Sequence, residues 1–200
     1  MAKRKIIESL LVVASLYCAF SCSHAIPRFG IGGVYQEGRE DVTKPRGGNI
    51  DRAIIDLESV VGQDPTYLDS LTLLGRAYYK KGRHWDSKQI LYRAVALNRD
   101  DEIAWIVLGI AELRLGEDLR GLESVKGGLT LLGKAMGGGK YRGYTGWDPS
   151  GAVRSSFNRA AFLARAGLEE KSGLIPSIET LLDRVDEEDW RQYRGSIMSR

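Results

Sequence analysis

The chain repeats a pattern of small and apolar residues every 34 positions. Leu74-Gly75 recurs as Leu108-Gly109, and Gly82 recurs as Gly116. A period of this length is typical of stacked supersecondary units, so it constrains the architecture before any local propensity is considered. Because each unit in such a stack contacts mainly its neighbours, the stack as a whole builds a binding surface more often than a catalytic centre.

Within residues 49–132 the apolar positions follow helical spacing. Ile50, Ala53, Ile54 and Leu57, for example, lie on one face of a single helix. Gly82 follows a later apolar segment, and a glycine in that place favours the left-handed conformation that ends a helix. The pattern predicts five helices, over residues 49–64, 66–81, 85–97, 102–115 and 119–132.

A longer set of positions obeys the same offset. The first full copy consists of Leu71, Leu74-Gly75, Tyr78, Ser87, Leu91 and Ala94. The second consists of Trp105, Leu108-Gly109, Gly121, Val125 and Gly128, and a preceding half copy consists of Ala53, Leu57, Val60 and Pro65. This order of bulky, small and aromatic residues resembles the tetratricopeptide repeat (TPR) family. The second copy departs from the family pattern, because Glu112 stands where the aromatic residue is expected.

The resemblance implies an all-α fold, a short TPR-like solenoid of antiparallel helix pairs over residues 49–132. Residues 26–48 contain Pro27, Pro45 and many glycines, which predicts a linker or an irregular N-terminal arm. Residues 133–150 predict a glycine-rich loop with basic and aromatic side chains. Residues 151–197 predict a C-terminal helical pair, either a divergent repeat or a cap over the last apolar face, and its final helix is expected to start near Pro176.

The N-terminus has the pattern of an export signal over residues 1–25. A basic head, Lys3-Arg4-Lys5, precedes an apolar stretch over residues 10–20 and then a run of small residues. Two cleavage sites remain open. Ser23-His24-Ala25 suits an ordinary signal peptidase, whereas residues 19–22 resemble a lipobox in which Cys22 carries a lipid. We therefore expect an exported, periplasmic protein, either soluble or anchored to the inner or outer membrane as a lipoprotein.

Charge and composition argue against several classes of function. Removal of residues 1–22 leaves a net charge of +1, which gives no case for nucleic acid as a partner. Both cysteines lie in the predicted signal, and His84 is the one histidine beyond it. We expect no metal, no cofactor and no enzymatic activity, because no acid–base or nucleophile constellation is visible. The acidic run over residues 186–189 lacks the spacing of a calcium loop and predicts a solvated helix segment.

The best candidate site is the concave face that the first helix of each repeat forms in the TPR family. In the first full repeat the residues on this face are polar and cationic, suited to an acidic group of a partner, and they are Asp69, Thr72, Arg76, Tyr79 and Lys80. In the next repeat the equivalent residues are mostly apolar, and they are Ile103, Ile106, Ile110, Leu113 and Arg114. Two interpretations remain open: an apolar pocket for a peptide or lipid, or a face covered by the C-terminal helices.

The glycine-rich loop is a second candidate surface. Its aromatic and basic side chains belong to the types favoured at binding hot spots, and they are Lys140, Tyr141, Arg142, Tyr144 and Trp147. The alternative is an insertion whose aromatic rings pack against the helices.

These observations favour an interaction scaffold of the bacterial cell envelope. The partner would be another envelope protein or peptide, bound through the concave face. The alternative is a periplasmic carrier or accessory subunit that holds a small apolar ligand against Ile106, Ile110 and Leu113. Fold class by itself does not identify a partner.

Overall fold

The structure is a computed structural model that describes residues 30–45, 47–138 and 146–198, with side chains described as far as residue 192. The predicted signal segment, with the proposed lipidation site at Cys22, lies outside the described residues. So do four of the five predicted loop contacts, Lys140, Tyr141, Arg142 and Tyr144.

All regular structure in the described ranges is helical. The elements are α1 Gly30–Thr43, α2 Ile50–Gln63, α3 Ser70–Lys80, α4 His84–Leu97, α5 Glu102–Arg114, α6 Asp118–Gly138, α7 Ala152–Ala166, a short 3-10 turn Leu168–Glu170, and α8 Lys171–Met198. The helices pack in adjacent pairs, α1 with α2, α3 with α4, α5 with α6 and α7 with α8. The predicted all-α architecture of paired helices is therefore confirmed.

The prediction of an irregular arm over residues 26–48 is wrong for residues 30–43, which form α1. Tyr35 and Val42 bury their side chains against α2 and α3. Gly38 makes the approach to α2 possible, because a Cβ atom there would lie 2.8 Å from Cγ of Leu57. The half copy of the repeat thus lies in α2, which is the second helix of the hairpin formed by α1 and α2.

The repeat offset explains why the sequence did not show this hairpin. Gly38 meets Leu57 as Gly75 meets Leu91, but Gly38 precedes Gly75 by 37 residues instead of 34. Helix α1 ends at Thr43 and α2 begins only at Ile50, whereas α3 ends at Lys80 and α4 already begins at His84. A search at a constant offset therefore stops at the start of α2.

The predicted loop over residues 133–150 is shorter than expected, because α6 continues to Gly138. Leu132 is buried, and a Cβ atom on Gly133 would lie 3.1 Å from the ring of Phe157 in α7. Packing against α7 therefore stabilises a helical end that the local glycine content disfavours. The last helix likewise begins earlier than predicted, at Lys171 instead of near Pro176.

A tyrosine–glutamate hydrogen bond joins α2 to α3 and recurs between α4 and α5, at two successive contacts between hairpins, with the residue types exchanged. Tyr78 Oη donates to Glu58 at 2.5 Å, and Tyr92 Oη donates to Glu112 at 2.6 Å. Residues 58 and 92 are equivalent at the 34-residue offset, as are residues 78 and 112. The apparent departure at Glu112 is therefore an exchange of partners that retains the contact.

Removal of the Glu112 carboxylate should be costly, because this residue is fully buried and also accepts a hydrogen bond from Ser124 Oγ. Glu112→Ala leaves two hydroxyl groups without an acceptor and should lower the free energy of unfolding by about 2–4 kcal/mol. Glu58→Ala is the matched control, because Glu58 is exposed and its loss should cost less than about 1 kcal/mol. Urea denaturation of both variants measures the difference, and equal costs would contradict this account.

Candidate functional site

Helix α8 lies across the first helices of the three preceding hairpins. Glu179 bonds to Arg114 at the end of α5, Asp186 bonds to Arg76 in α3, and Trp190 Nε1 donates to Thr43 Oγ1 at the end of α1. The chain of α8 thus passes α5, α3 and α1 in that order. The C-terminal helix therefore lies over the side of the first helices on which the sequence predicted a concave face.

The apolar half of the predicted site is buried in this arrangement. Ile106 and Ile110 are 0% exposed and Leu113 is 1% exposed, whereas Ile103 is half-buried. The side chains of α8 that belong to the same apolar cluster are Leu174, Ile175, Ile178, Leu181, Leu182 and Val185. Of the two interpretations that the sequence left open, the covered face is the one observed.

Two polar residues of the predicted site bond within the helical stack. Asp69 accepts a hydrogen bond from Tyr35 Oη of α1. Thr72 Oγ1 donates to Asp101 at 2.6 Å, just before α5 begins. Both side chains therefore hold neighbouring hairpins together.

The remaining polar residues of the predicted site mostly bond to α8. Arg76 is 7% exposed, and its Nη2 lies 2.6 Å from a carboxylate oxygen of Asp186. Tyr79 Oη donates to Glu179 at 2.5 Å, and Arg114 Nη2 lies 3.0 Å from the same oxygen. Lys80 Nζ instead donates to the carbonyl of Val42 at 2.8 Å.

The acidic residues of α8 were not predicted from the sequence to belong to this site. The prediction of a solvated segment over residues 186–189 is wrong, because Asp186 is 5% exposed and Glu188 is 8% exposed. A signal was present, because Glu179, Asp183 and Asp186 are spaced so that they share one face of a helix. The spacing alone does not reveal whether that face meets water or a row of cations.

Among the described residues, α8 leaves a small gap of about 40 Å³ beside α1 and one larger pocket farther along the groove. The larger pocket has a volume of about 370 Å³ and lies between the carboxyl ends of α3 and α5 and the middle of α8. Pockets that bind small molecules in proteins begin at about this size. The lining residues are Arg76, Tyr79, Lys80, Gly82, His84, Val107, Arg114, Glu179, Leu182 and Asp183.

The ionisable groups of this pocket, which we call the groove pocket, show the effect of partial removal from water. Burial lowers the pKa of Lys80 and raises the pKa of Asp183. Burial also lowers the pKa of His84, with a further contribution from the positive charge of Arg114. The imidazole ring lies against Tyr79, with ring centroids 5.1 Å apart. His84 is therefore neutral at pH 7.

Of the predicted loop contacts, Trp147 is the one that the structure describes, and it is buried in the main apolar cluster. The next residue, Asp148, accepts hydrogen bonds from the amides of Val153 and Arg154 at the start of α7. The ring of Trp147 therefore packs against the helices, which is the second of the two interpretations that the sequence left open for this loop.

The described ranges contain neither a candidate membrane span nor a candidate metal site. No helix there combines the length and the hydropathy that a membrane span requires. No three metal-ligating side chains are grouped closely enough in those ranges to hold an ion.

Comparison with known proteins does not assign the chain to a family. It matches no protein-family model, and it has no significant match among curated proteins. The TPR resemblance therefore stays a prediction from the sequence.

Proposed function

We propose that this protein is a non-enzymatic interaction module of the bacterial cell envelope, and that it binds a partner polypeptide through the groove pocket. The observation that supports this proposal is the gap of about 370 Å³ left between α3, α5 and α8 on the face that α8 covers. Such a pocket has room for one side chain of a partner and some of its backbone. The proposal replaces a long open groove with a single anchoring site.

The chemistry of the lining supports binding more than catalysis. His84 lies beside Tyr79 and Arg114, and no nucleophile is activated by a base among the described lining residues. The apolar side chains Val107 and Leu182 and the ring of Tyr79 offer contact area, and the charged groups around them provide orientation. This combination is typical of a recognition pocket.

A carrier of a small ligand is the second candidate, and the size of the groove pocket favours it. The ligand would contact Val107 and Leu182, because Ile106, Ile110 and Leu113 are buried and do not line the pocket. In that case the bound molecule would copurify with the protein in the absence of any partner polypeptide.

Blocking the pocket tests the main proposal. His84→Trp places a large ring in the groove pocket without removing an ion pair, and Gln89→Trp places the same ring on an exposed position of the same helix. Affinity capture from membranes, followed by mass spectrometry, should recover a partner with the wild-type chain and with Gln89→Trp. The same partner should be lost with His84→Trp, and its retention would contradict the proposal.

A further inference from the structure

Helix α7 carries positive charges that no acidic residue of the described structure neutralises. Its 15 residues include three arginines, Arg154, Arg159 and Arg165, and no acidic residue. All three side chains are exposed, and none of the guanidinium groups forms a hydrogen bond or an ion pair with a described residue. The arginine of α3 differs in this respect, because Arg76 is paired with Asp186 of α8. The cations of α7 therefore remain open to a ligand from outside the molecule.

A groove beside these charges has no carboxylate in its lining. It lies between α6 and α7 and has a volume of about 680 Å³. The two ionisable residues that line it, Lys126 and Arg165, are both cations, and Lys126 makes no ion pair with a described residue. Glu123 lies one helical turn before Lys126 but does not line the groove. We call this region the α7 surface, and it consists of Lys126, Arg154, Arg159, Phe162 and Arg165.

An aromatic ring lies at the centre of the α7 surface. Phe162 is 70% exposed, although its side chain is large and apolar. Helical spacing places Arg165 on one side of this ring and Arg159 on the other. The opposite face of α7 packs into the main apolar cluster through its buried residues, which are Val153, Ala160 and Ala164. Phe162 thus offers apolar area that the packing of the helices does not use.

The shape of the α7 surface favours an extended anionic ligand over a narrow one. Arg154 and Arg159 do not line the groove, and Arg154 is about 16 Å from Arg165 along the helix axis. A peptide in the groove would reach Lys126 and Arg165 but would leave the other two cations in water. A bilayer presents phosphates over the whole length of the helix and meets all four. Basic side chains around an exposed aromatic ring are typical of helices that lie in a membrane interface.

We infer that the α7 surface docks on a bilayer of anionic phospholipid. The four cations contact lipid phosphates, and Phe162 enters the boundary between head groups and acyl chains. Helix α7 lies parallel to the bilayer plane and does not cross it. The inference goes beyond the proposed function, because no residue of the α7 surface lines the groove pocket.

Vesicle sedimentation tests the inference on the full chain. Vesicles of pure phosphatidylcholine are compared with vesicles of equal parts phosphatidylcholine and phosphatidylglycerol. We expect binding to the phosphatidylglycerol vesicles to be tighter by about 10-fold or more, because each cation near an anionic surface adds to the affinity. Binding should weaken as salt is added. Equal binding to the two compositions, or no binding to either, would overturn the inference.

Two arginine variants locate the electrostatic contact. Arg159→Gln should weaken binding to the phosphatidylglycerol vesicles about 5-fold, the share that one cation contributes. Arg93→Gln is the matched control, because Arg93 is also exposed without an ion pair to a described residue, and its helix α4 packs against α3 and α5. All variants share the same N-terminal segment, so a difference between them reports on the α7 surface. Equal effects of the two substitutions would overturn the inference.

A second pair of variants tests the insertion of the aromatic ring. Phe162→Ser should weaken binding to the phosphatidylglycerol vesicles about 5-fold, because the serine side chain gains nothing from the apolar boundary. Ile55→Ser is the control, because Ile55 is 67% exposed on α2. Both substitutions are at exposed positions and should leave the midpoint of urea denaturation nearly unchanged. Wild-type affinity of Phe162→Ser for the vesicles would contradict the inference.

Partner capture distinguishes a bilayer from an acidic polypeptide. If a captured polypeptide is lost with Arg159→Gln and neither type of vesicle binds the wild-type chain, the α7 surface recognises protein and the inference is overturned. If Arg159→Gln weakens vesicle binding and retains every captured polypeptide, the inference is supported. His84→Trp should leave vesicle binding unchanged, because His84 is not part of the α7 surface, so the failure of one proposal does not entail the failure of the other.

Discussion

Arg76→Met is expected to lower the free energy of unfolding by about 3–5 kcal/mol, because it leaves the buried Asp186 carboxylate without its main partner. Methionine keeps the length of the stem, so the loss comes mainly from the charge. Lys80, 3.9 Å from Asp186, offers partial compensation and places the expected value toward the lower end of the range. Urea denaturation gives the change, provided that the slope of the transition stays constant.

Removal of both charges provides the control for this prediction. The double variant Arg76→Met/Asp186→Leu should recover stability to within about 1 kcal/mol of wild type, because two apolar side chains carry no desolvation cost. The pair of Arg184 and Glu187 lies on the same helix with both side chains about half exposed, and Arg184→Met should cost less than about 1 kcal/mol. If Arg76→Met is as mild as Arg184→Met, α8 does not lie over the groove in solution.

Two adjacent glycines in α6 should respond to alanine in opposite directions. A Cβ atom on Gly128 would lie 2.7 Å from the backbone nitrogen of Ile106, whereas a Cβ atom on Gly127 would meet nothing within 4 Å. Gly128→Ala forces the backbones of α5 and α6 apart and should destabilise the protein by about 1–3 kcal/mol. Gly127→Ala should stabilise it by about 0.5–1 kcal/mol, because alanine restricts the unfolded chain and favours the helix.

The contrast separates packing from helix propensity. Propensity alone predicts that both substitutions stabilise α6 by similar amounts. Gly109→Ala, in α5, is a second packing variant, because its Cβ atom would lie 2.6 Å from the backbone nitrogen of Val125. Thermal or urea denaturation of the three variants measures the change in stability. A stabilising effect of Gly128→Ala would show that α5 and α6 do not approach closely at this position.

The helices of residues 49–132 were predictable because their signals are local. Gly82 has the expected left-handed backbone, with φ of 80°, and Gly116 repeats it one period later. At the repeat position Gly75 two helices approach closely, because a Cβ atom there would lie 2.5 Å from Leu91. Apolar spacing, end glycines and small residues at crossings act over a few turns of helix, so a single sequence displays them directly.

Helix α1 and the end of α6 were not predicted, because the same residue types are compatible with more than one structure. The glycines of α1 and α6 suggest loops or weak helices until the neighbouring backbone is known. Gly121 illustrates this, because a Cβ atom there would lie 2.8 Å from the backbone oxygen of Gly109. Glycine at position 121 disfavours the helix, but it permits a close contact between α5 and α6 that a larger residue would prevent.

The sequence by itself determined the repeat, the pairing of helices and the residues that share one face of each first helix. These follow from periodicity, and each repeat contacts mainly the next one along the chain. Only the tertiary structure decided that α8 occupies this face, through contacts such as that of Arg76 with Asp186, 110 residues away. A row of acidic residues has the same helical spacing whether it faces water or a row of cations, because spacing fixes direction on a helix and not what lies opposite. That contact holds α8 over the cations of the first helices and leaves a small pocket beside them.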